Sequence, residues 1–366
     1  MTTIVDLRFH RLDVPLLQPF GIATGAQLVA NNVLIEVQLS DGSVGLGEAA
    51  PFPAVSGETQ HAVLNALPAV REVWVGASAL NYRQLAELAA DRLIDVPTAL
   101  AGVEIALLDA ICRSLGLSMW QWFGGAQARL VTDITIPTAE GQQDSILSAV
   151  DAAARAEQSG FTTLKVKVGK DDLDREVARL RAIAHSATHC RLILDANGSY
   201  DVDQALRLIR ELRALKARIA LFEQPVSRAD VEGLVEVEQK SGVAVAADEA
   251  LRCPTDLQRL LKHRGPSVVN IKTAKCGLFT GFDLALAAQR AGFRTMIGGM
   301  VETELSMSAS ACMAAGLGRF DFVDLDTPMF LAARPLSGGF AQCGAELDVS
   351  RIELGHGVAW TRVETR

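Results

Sequence analysis

The sequence predicts an α/β fold: a (β/α)7β barrel of the TIM type, joined to an α+β capping domain formed by the N-terminal region and the C-terminal tail. Two observations predict it. After WFGGAQARL, at residues 122–130, short β-branched runs alternate with Ala/Leu-rich amphipathic segments, the pattern of βα units on a parallel sheet. There are eight such runs, and eight is the number of strands at which a parallel sheet closes into a barrel. A chain of 366 residues has room for a barrel and an attached unit. The expected boundaries are 1–125 for the cap, 126–330 for the barrel, and 331–366 for a C-terminal segment that packs back on the cap.

In chain order, IVDLRFHRLDVPL and NNVLIEVQLSDGSVGLGEA alternate apolar and polar residues, and SDGSVG supplies a turn between extended segments. Antiparallel strands follow. LAELAADRLI and TALAGVEIALLDAICRSLG have helical periodicity, with Thr98 as the expected N-cap of the second and Gly116 as its stop. The barrel strands are then VTDITI, TLKVKV, RLILDA, IALFEQ, VAVAADE, SVVNIK, RTMIGG and DFVDLD. The final stretch, PLSGGFAQCGAELDVSRIELG, returns to turn-rich short strands.

Nearly half of the residues are hydrophobic, which provides a large core. A net charge of −8 opposes non-specific binding to nucleic acid. Six scattered cysteines form no CxxC pair, which fits neither a zinc site nor a disulfide framework and suits a reducing compartment. The N-terminus lacks the long apolar core of a signal peptide, and no apolar run is long enough to span a bilayer. A cytoplasmic homo-oligomer acting on a small molecule, without a nucleic-acid or membrane partner, is the expectation.

The chemistry is read from the ends of the strands, because barrel enzymes carry catalytic residues at the C-terminal strand ends. Those positions hold Lys167, Asp195, Glu223, Asp248, Lys272 and Asp324, and the first five are spaced by 28, 28, 25 and 24 residues, one βα unit each. Individually each has a plainer explanation: Asp195 as a helix cap, Glu223 as a strand end, Asp248 as a loop residue. Lys165 and Lys167 in TLKVKVG point to one strand face and, taken alone, suit a half-exposed strand with its lysines in water. Together the residues converge on one rim. Three oxygen ligands from separate strands, Asp195, Glu223 and Asp248, suit one Mg²⁺ per subunit. Lys165 and Lys167 precede the carboxylates and Lys272 follows them, so lysines stand on opposite sides of the metal. One lysine then removes a substrate α-proton and the other returns a proton to the opposite face. Lys165 and the metal stabilise the enolate and favour Lys167 as a base.

KVK at 165–167, Asp195 in DAN, Glu223 in EQP, Asp248 in ADE and Lys272 in NIKTAKCG together resemble the enolase superfamily, in its muconate lactonising branch. The resemblance covers nearly the whole chain. FVDLDTP, with Asp324 and Asp326 on one strand face, is similar to the dipeptide epimerases (L-Ala-D/L-Glu epimerase-like), in which such a motif binds the dipeptide's free α-ammonium. A plainer role for Asp326 is to open a turn before Thr-Pro. VTDITI, containing Thr135, and GGMVETEL, containing Glu302, also look like this subfamily and place both residues near the substrate. Members acting on Ala-Glu have a basic residue in the cap loop. PFGIATGAQ and AAPFPAVSGET have none, with Gly25 at the corresponding place. Phe20, Ile22 and Phe52 then form an apolar pocket wall, and the implied substrate is a dipeptide with a neutral or hydrophobic second residue.

Other readings stay open. An N-acylamino acid racemase, an o-succinylbenzoate synthase or a muconate cycloisomerase-like enzyme of the same branch would use the same lysines. An acid-sugar dehydratase usually needs a histidine near the late strands, and none lies between His263 and His356. A barrel that only bound ligand would have no need of a lysine on each side of the metal.

Overall fold

The computed structural model describes residues 2–22, 25–138 and 144–360. Its N-terminal unit is an antiparallel sheet in the order β1 (Ile4–Ile22), β2 (Gly25–Leu39) and β3 (Val44–Ala49). Alternation along β2 sends Val33, Ile35, Val37 and Leu39 into a core shared with Trp74, Leu85, Val103 and Leu107 of the cap helices. The opposite face, with Leu12, Val14, Leu34 and Leu46, joins the main core of the molecule. The cap is therefore cemented to the barrel by its own sheet.

The helix Pro97–Leu115 lies across this sheet. Its start differs from the expected one: Pro97 occupies the first turn and Val96 the N-cap, because proline's fixed φ suits that position. Thr98 instead sits inside the helix, giving its N–H and hydroxyl to Glu58 at 3.1 and 2.6 Å. Gly116 ends the helix in the left-handed conformation at φ 69°, as expected. Contact between helix and sheet is very close. A Cβ at Gly47 would stand 1.9 Å from the Gly102 carbonyl oxygen, and one at Gly45 would stand 2.1 Å from that of Ala106.

A short strand, β4 (Arg129–Val131), leads to the eight parallel strands. These are β5 (Ile134–Ile136), β6 (Thr163–Lys167), β7 (Arg191–Asp195), β8 (Ile219–Glu223), β9 (Val245–Ala247), β10 (Val268–Ile271), β11 (Arg294–Ile297) and β12 (Phe322–Val323), paired in sequence order. The β5–β12 seam is closed by Asp133 N–H donating to Val323 O at 2.9 Å and Leu325 N–H to the Thr132 hydroxyl at 3.0 Å. Inside the barrel, Ile193, Leu221, Ala246, Val268, Met296 and Phe322 form an apolar plug, one residue from each of six strands. Two residues further along five of those strands come Asp195, Glu223, Asp248, Asn270 and Asp324. The period of two thus stacks a polar ring directly on the plug.

Beyond the barrel, β13 (Leu336–Gly338) pairs with β16 (Val358–Trp360), while β14 (Ala341–Cys343) and β15 (Glu346–Asp348) form a sheet with β4. The segment touches the cap through His356 Nε2 and Leu46 O, 2.9 Å apart, and through a bridge between Leu331 and Leu16. No helix among the described residues is long and apolar enough to cross a membrane.

Replacing Gly47 with Ala forces the helix Pro97–Leu115 off the sheet. It should cost about 1–3 kcal/mol by urea denaturation, the usual penalty for overpacking. An unchanged midpoint would contradict the close approach.

Candidate active site

The lysines of TLKVKVG are not in water. Lys165 is 1% exposed and Lys167 5%, at the C-terminal end of β6. Lys165 Nζ lies 3.0 Å from Asp195, 2.8 Å from Glu223 and 2.6 Å from Asp324. Burial acts to push this ammonium down. The attraction of Asp195, Asp324 and Glu223 outweighs it and holds the group well above the ordinary lysine range. Lys167 Nζ lies 2.5 Å from Asp195. Lys272, one residue past β10, is 2.8 Å from Asp248, and its pKa is likewise raised: burial acts against the charge, and Asp248 overcomes it. The half-exposed reading of the strand is excluded by this geometry.

The three strand-end carboxylates have a common organisation. One oxygen of each is held by the scaffold: Asp195 Oδ1 accepts from Asn197 N–H at 3.1 Å, Glu223 Oε1 from Asn270 Nδ2 at 2.8 Å, and Asp248 Oδ1 from Lys275 Nζ at 2.5 Å. The second oxygen of each faces an ammonium, Asp195 Oδ2 to Lys165 and Lys167, Glu223 Oε2 to Lys165, and Asp248 Oδ2 to Lys272. All three side chains are buried. Burial works against ionisation of Asp195 and Asp248, yet the nearby lysines hold both below the usual carboxylate range. Glu223 differs: burial, then repulsion from Asp195, pushes it up to about 7 despite Lys165 and Lys272. The inward donors of the ring are all carboxylate oxygens, the set preferred by a hard divalent cation. Asp195 caps no helix, since Asp201 caps the one that follows.

A cavity of about 470 Å³ of empty space, partly open to solvent, opens above the ring. Phe20, Phe52 and Val55 of the cap form one side, Gly299, Met300 and Val301 another, and Thr135, Asp324, Asp326 and Thr327 a third. Lys165, Lys167 and Lys272 are the only cations among its described lining residues. Asp326 accepts Thr135 N–H at 2.5 Å, so its side chain does more than open the 3-10 turn Thr327–Phe330. Burial and then the charge of Asp324 push its carboxyl up to about 7.

Two expected residues lie outside the lining. Gly25 stands at the start of β2, where an added Cβ would meet Ala54 Cβ at 2.8 Å. Glu302 is 2% exposed and turns back to accept Met300 N–H at 3.0 Å, so it braces the wall from behind. Burial, then Glu48, pushes it up to about 8. The Ile22 side chain is outside the described residues.

Sequence reasoning misses the supports. Asn197 and Gln224 both follow a ring carboxylate and have positive φ, 45° and 36°. Gln224 Oε1 accepts Asp248 N–H at 2.9 Å and Ala250 N–H at 3.1 Å, fixing the backbone of the neighbouring strand end. Strained backbone at a polar rim is characteristic of functional sites. DAN and EQP contain both residues, but only the burial of their partners shows why. Lys275 in NIKTAKCG and Asp133 in VTDITI likewise gain a role only from their surroundings. Asp133, Asp324 and Asp326 each bring a carboxyl oxygen within 4.8 Å of the others.

Comparison with known proteins follows the same architecture. Residues 5–124 match the mandelate racemase/muconate lactonizing enzyme N-terminal domain, and residues 148–363 match the enolase C-terminal domain-like model. An aromatic dipeptide epimerase from Herpetosiphon aurantiacus is 44% identical over 98% of this chain and 99% of its own. The crystal structure of a mandelate racemase/muconate lactonizing protein from Herpetosiphon aurantiacus superposes with a TM-score of 0.94 at 43% identity, covering 98% of this chain and 99% of that one. A dipeptide epimerase from Enterococcus faecalis, solved with Mg and the dipeptide L-Leu-L-Tyr, superposes with a TM-score of 0.91 at 29% identity, covering 98% and 99%. With both domains matched, and relatives aligned end to end over the capped barrel, the chain belongs to the mandelate racemase/muconate lactonizing enzyme family of the enolase superfamily.

Proposed function

We propose that this chain is a Mg²⁺-dependent dipeptide epimerase that inverts the α-carbon next to the terminal carboxylate of dipeptides with a hydrophobic second residue. The observation that carries the reading is the placement of Lys167 and Lys272. Their strands, β6 and β10, are four apart in an eight-stranded ring, and both side chains line one cavity. A substrate α-carbon between them meets an amine on each face. The resemblance to an aromatic dipeptide epimerase, and to one solved with L-Leu-L-Tyr, supports the substrate class.

Asp195, Glu223 and Asp248 would hold one Mg²⁺ through the oxygens that now face lysines. The metal would supply Lewis-acid charge to the substrate carboxylate. Lys167 takes the α-proton from one face and Lys272 delivers one to the other, or the reverse for the opposite stereoisomer. Lys165, held by Asp324, adds positive charge where the carboxylate accumulates electron density. Asp324 and Asp326 receive the dipeptide's α-ammonium, a charge-assisted contact that an N-acylated substrate lacks. Phe20, Phe52, Val55 and Met300 offer apolar contact to the second side chain, and no arginine lines the cavity among the described residues.

Removing the Lys272 amine with Lys272→Ala should abolish epimerisation while α-proton exchange with D₂O survives for one stereoisomer, read by mass spectrometry. Full epimerisation by that variant would overturn the two-lysine scheme.

A pH profile tests the ammonium site. Asp326 faces Asp324, Lys165, Asp133 and Thr135, and its folded pKa is raised to about 7. It is therefore protonated below that pH and unavailable as an anion. The kcat/KM for a dipeptide should fall by up to about tenfold per unit as pH drops below 7. With Mg²⁺ saturating, so that Glu223 is held as an anion, Asp326→Asn should lower kcat/KM and remove that limb; an unchanged profile in the variant would place the ammonium elsewhere.

A further inference from the structure

Asp133 is a buried carboxyl of the barrel interior that the proposed mechanism leaves unused. It sits at the seam between β5 and β12, 2% exposed, with its N–H spent on Val323 O. No donor reaches either of its side-chain oxygens. Asp326 Oδ1 is also without a donor, and it lines the cavity above. One oxygen each of Asp133, Asp324 and Asp326 lies within 4.8 Å of the other two.

Below Asp133 a second cavity opens toward the N-terminal end of the barrel. Its arginines are directed elsewhere: Arg129 lies 3.6 Å from Glu346 and 3.7 Å from Asp348, and Arg191 donates to the Thr163 hydroxyl at 3.3 Å. Asp133 has no counter-ion among the described residues on that side. On the other side the cation that acts on it is Lys165, whose ammonium is already divided among Asp195, Glu223 and Asp324.

Three buried carboxylates this close cannot all ionise against one shared ammonium, and the one with neither counter-ion nor donor is the costliest to charge. We propose that Asp133 is a neutral carboxylic acid that shares its proton with the Asp324–Asp326 pair and orients that pair toward an incoming ammonium. It is a positioning residue, acting through the two aspartates. The assignment of the cation as the dipeptide's α-ammonium rests on the function proposed above; the protonation of Asp133 does not. Burial, followed by repulsion from Asp324 and Asp326, acts in the same direction and raises the carboxyl well above its usual range.

The proton balance explains the arrangement. With Asp133 neutral, the entering ammonium meets the Asp324–Asp326 pair beside a Lys165 that Asp195 and Glu223 also share. Were Asp133 ionised, a third buried carboxylate would join that pair with neither donor nor counter-ion of its own. The lower cavity gives the carboxyl a path by which its proton can equilibrate with water.

The test uses the full chain and two readouts. Infrared difference spectra of wild type against D133N at neutral pH should show a protonated-carboxyl stretch that shifts in D₂O and is missing from the variant. Absence of that difference band means that Asp133 is ionised and overturns the proposal. In steady-state assays with a hydrophobic dipeptide, D133N, whose amide also donates, should keep KM within about threefold of wild type, whereas D133L should raise it about tenfold with kcat much less affected. A rise in KM for D133N as large as that for D326N would make Asp133 an anionic partner and also overturn the proposal. Should D133L fail to fold, the D133N results decide alone. Should wild type turn over no dipeptide, the function proposed above fails, and the infrared comparison still judges Asp133.

Discussion

Charge buried at the mouth of the barrel is the constraint on which the rest of the structure depends. Asp195, Glu223, Asp248 and Asp324 lie above an apolar plug, and Lys165, Lys167, Lys272 and Lys275 lie among them. Removing one partner from such a set leaves a buried charge uncompensated, at a cost of about 3–5 kcal/mol. The scaffold responds by holding one oxygen of each ring carboxylate with a fixed donor. Asn197, Asn270 and Lys275 do this, and Gln224 holds the backbone of Asp248. These supports hold Asp195 Oδ1, Glu223 Oε1 and Asp248 Oδ1, and the second oxygen of each carboxylate faces Lys165, Lys167 or Lys272.

The same constraint explains the cap. Charges this close interact most strongly away from bulk water, and the cap covers part of the barrel mouth with Phe20, Phe52 and Val55. Glu48 at the end of β3 accepts from Asn32 at 2.7 Å, from the Thr303 N–H and hydroxyl at 3.0 and 2.7 Å, and from Ser306 N–H at 3.3 Å. Asn32 also donates to Val301 O at 2.9 Å. These bonds tie the antiparallel sheet to the loop after β11, the one that carries Met300 and Val301 into the cavity. Met300 packs there with Ala50 and Ala274. Cap and barrel thus meet in a polar latch behind an apolar wall.

Much of this is legible in the amino-acid sequence. Eight β-branched runs at regular spacing specify a closed parallel sheet, and the period of two places each strand-end charge on the inner face. The ordered set from KVK to NIKTAKCG therefore marks the rim and its principal residues. What the sequence hides has a physical cause in each case. Thr98 resembles a cap because its type favours that role, but Pro97 before it sets the helix start and Glu58 takes its hydroxyl. Gly25 and Glu302 are near the site in sequence terms, yet one is at a strand start and the other folds back on Met300. Asn197, Gln224 and Asp133 act through partners on other strands, and pairings of that kind appear only when the barrel closes.

The central claim is that lysines on opposite sides of one cavity exchange the α-proton of a dipeptide with a hydrophobic second residue. The most direct test is a pooled set of L-Ala-L-Xaa dipeptides and N-acylated amino acids in D₂O, with and without Mg²⁺, read by mass spectrometry. The expected result is a one-dalton gain at the α-carbon of the second residue, only with the metal, and concentrated in members whose second side chain is apolar. Labelling confined to acidic second residues would contradict the pocket assignment. Labelling of N-acylated amino acids with none in the dipeptides would contradict the ammonium site and the epimerase reading with it.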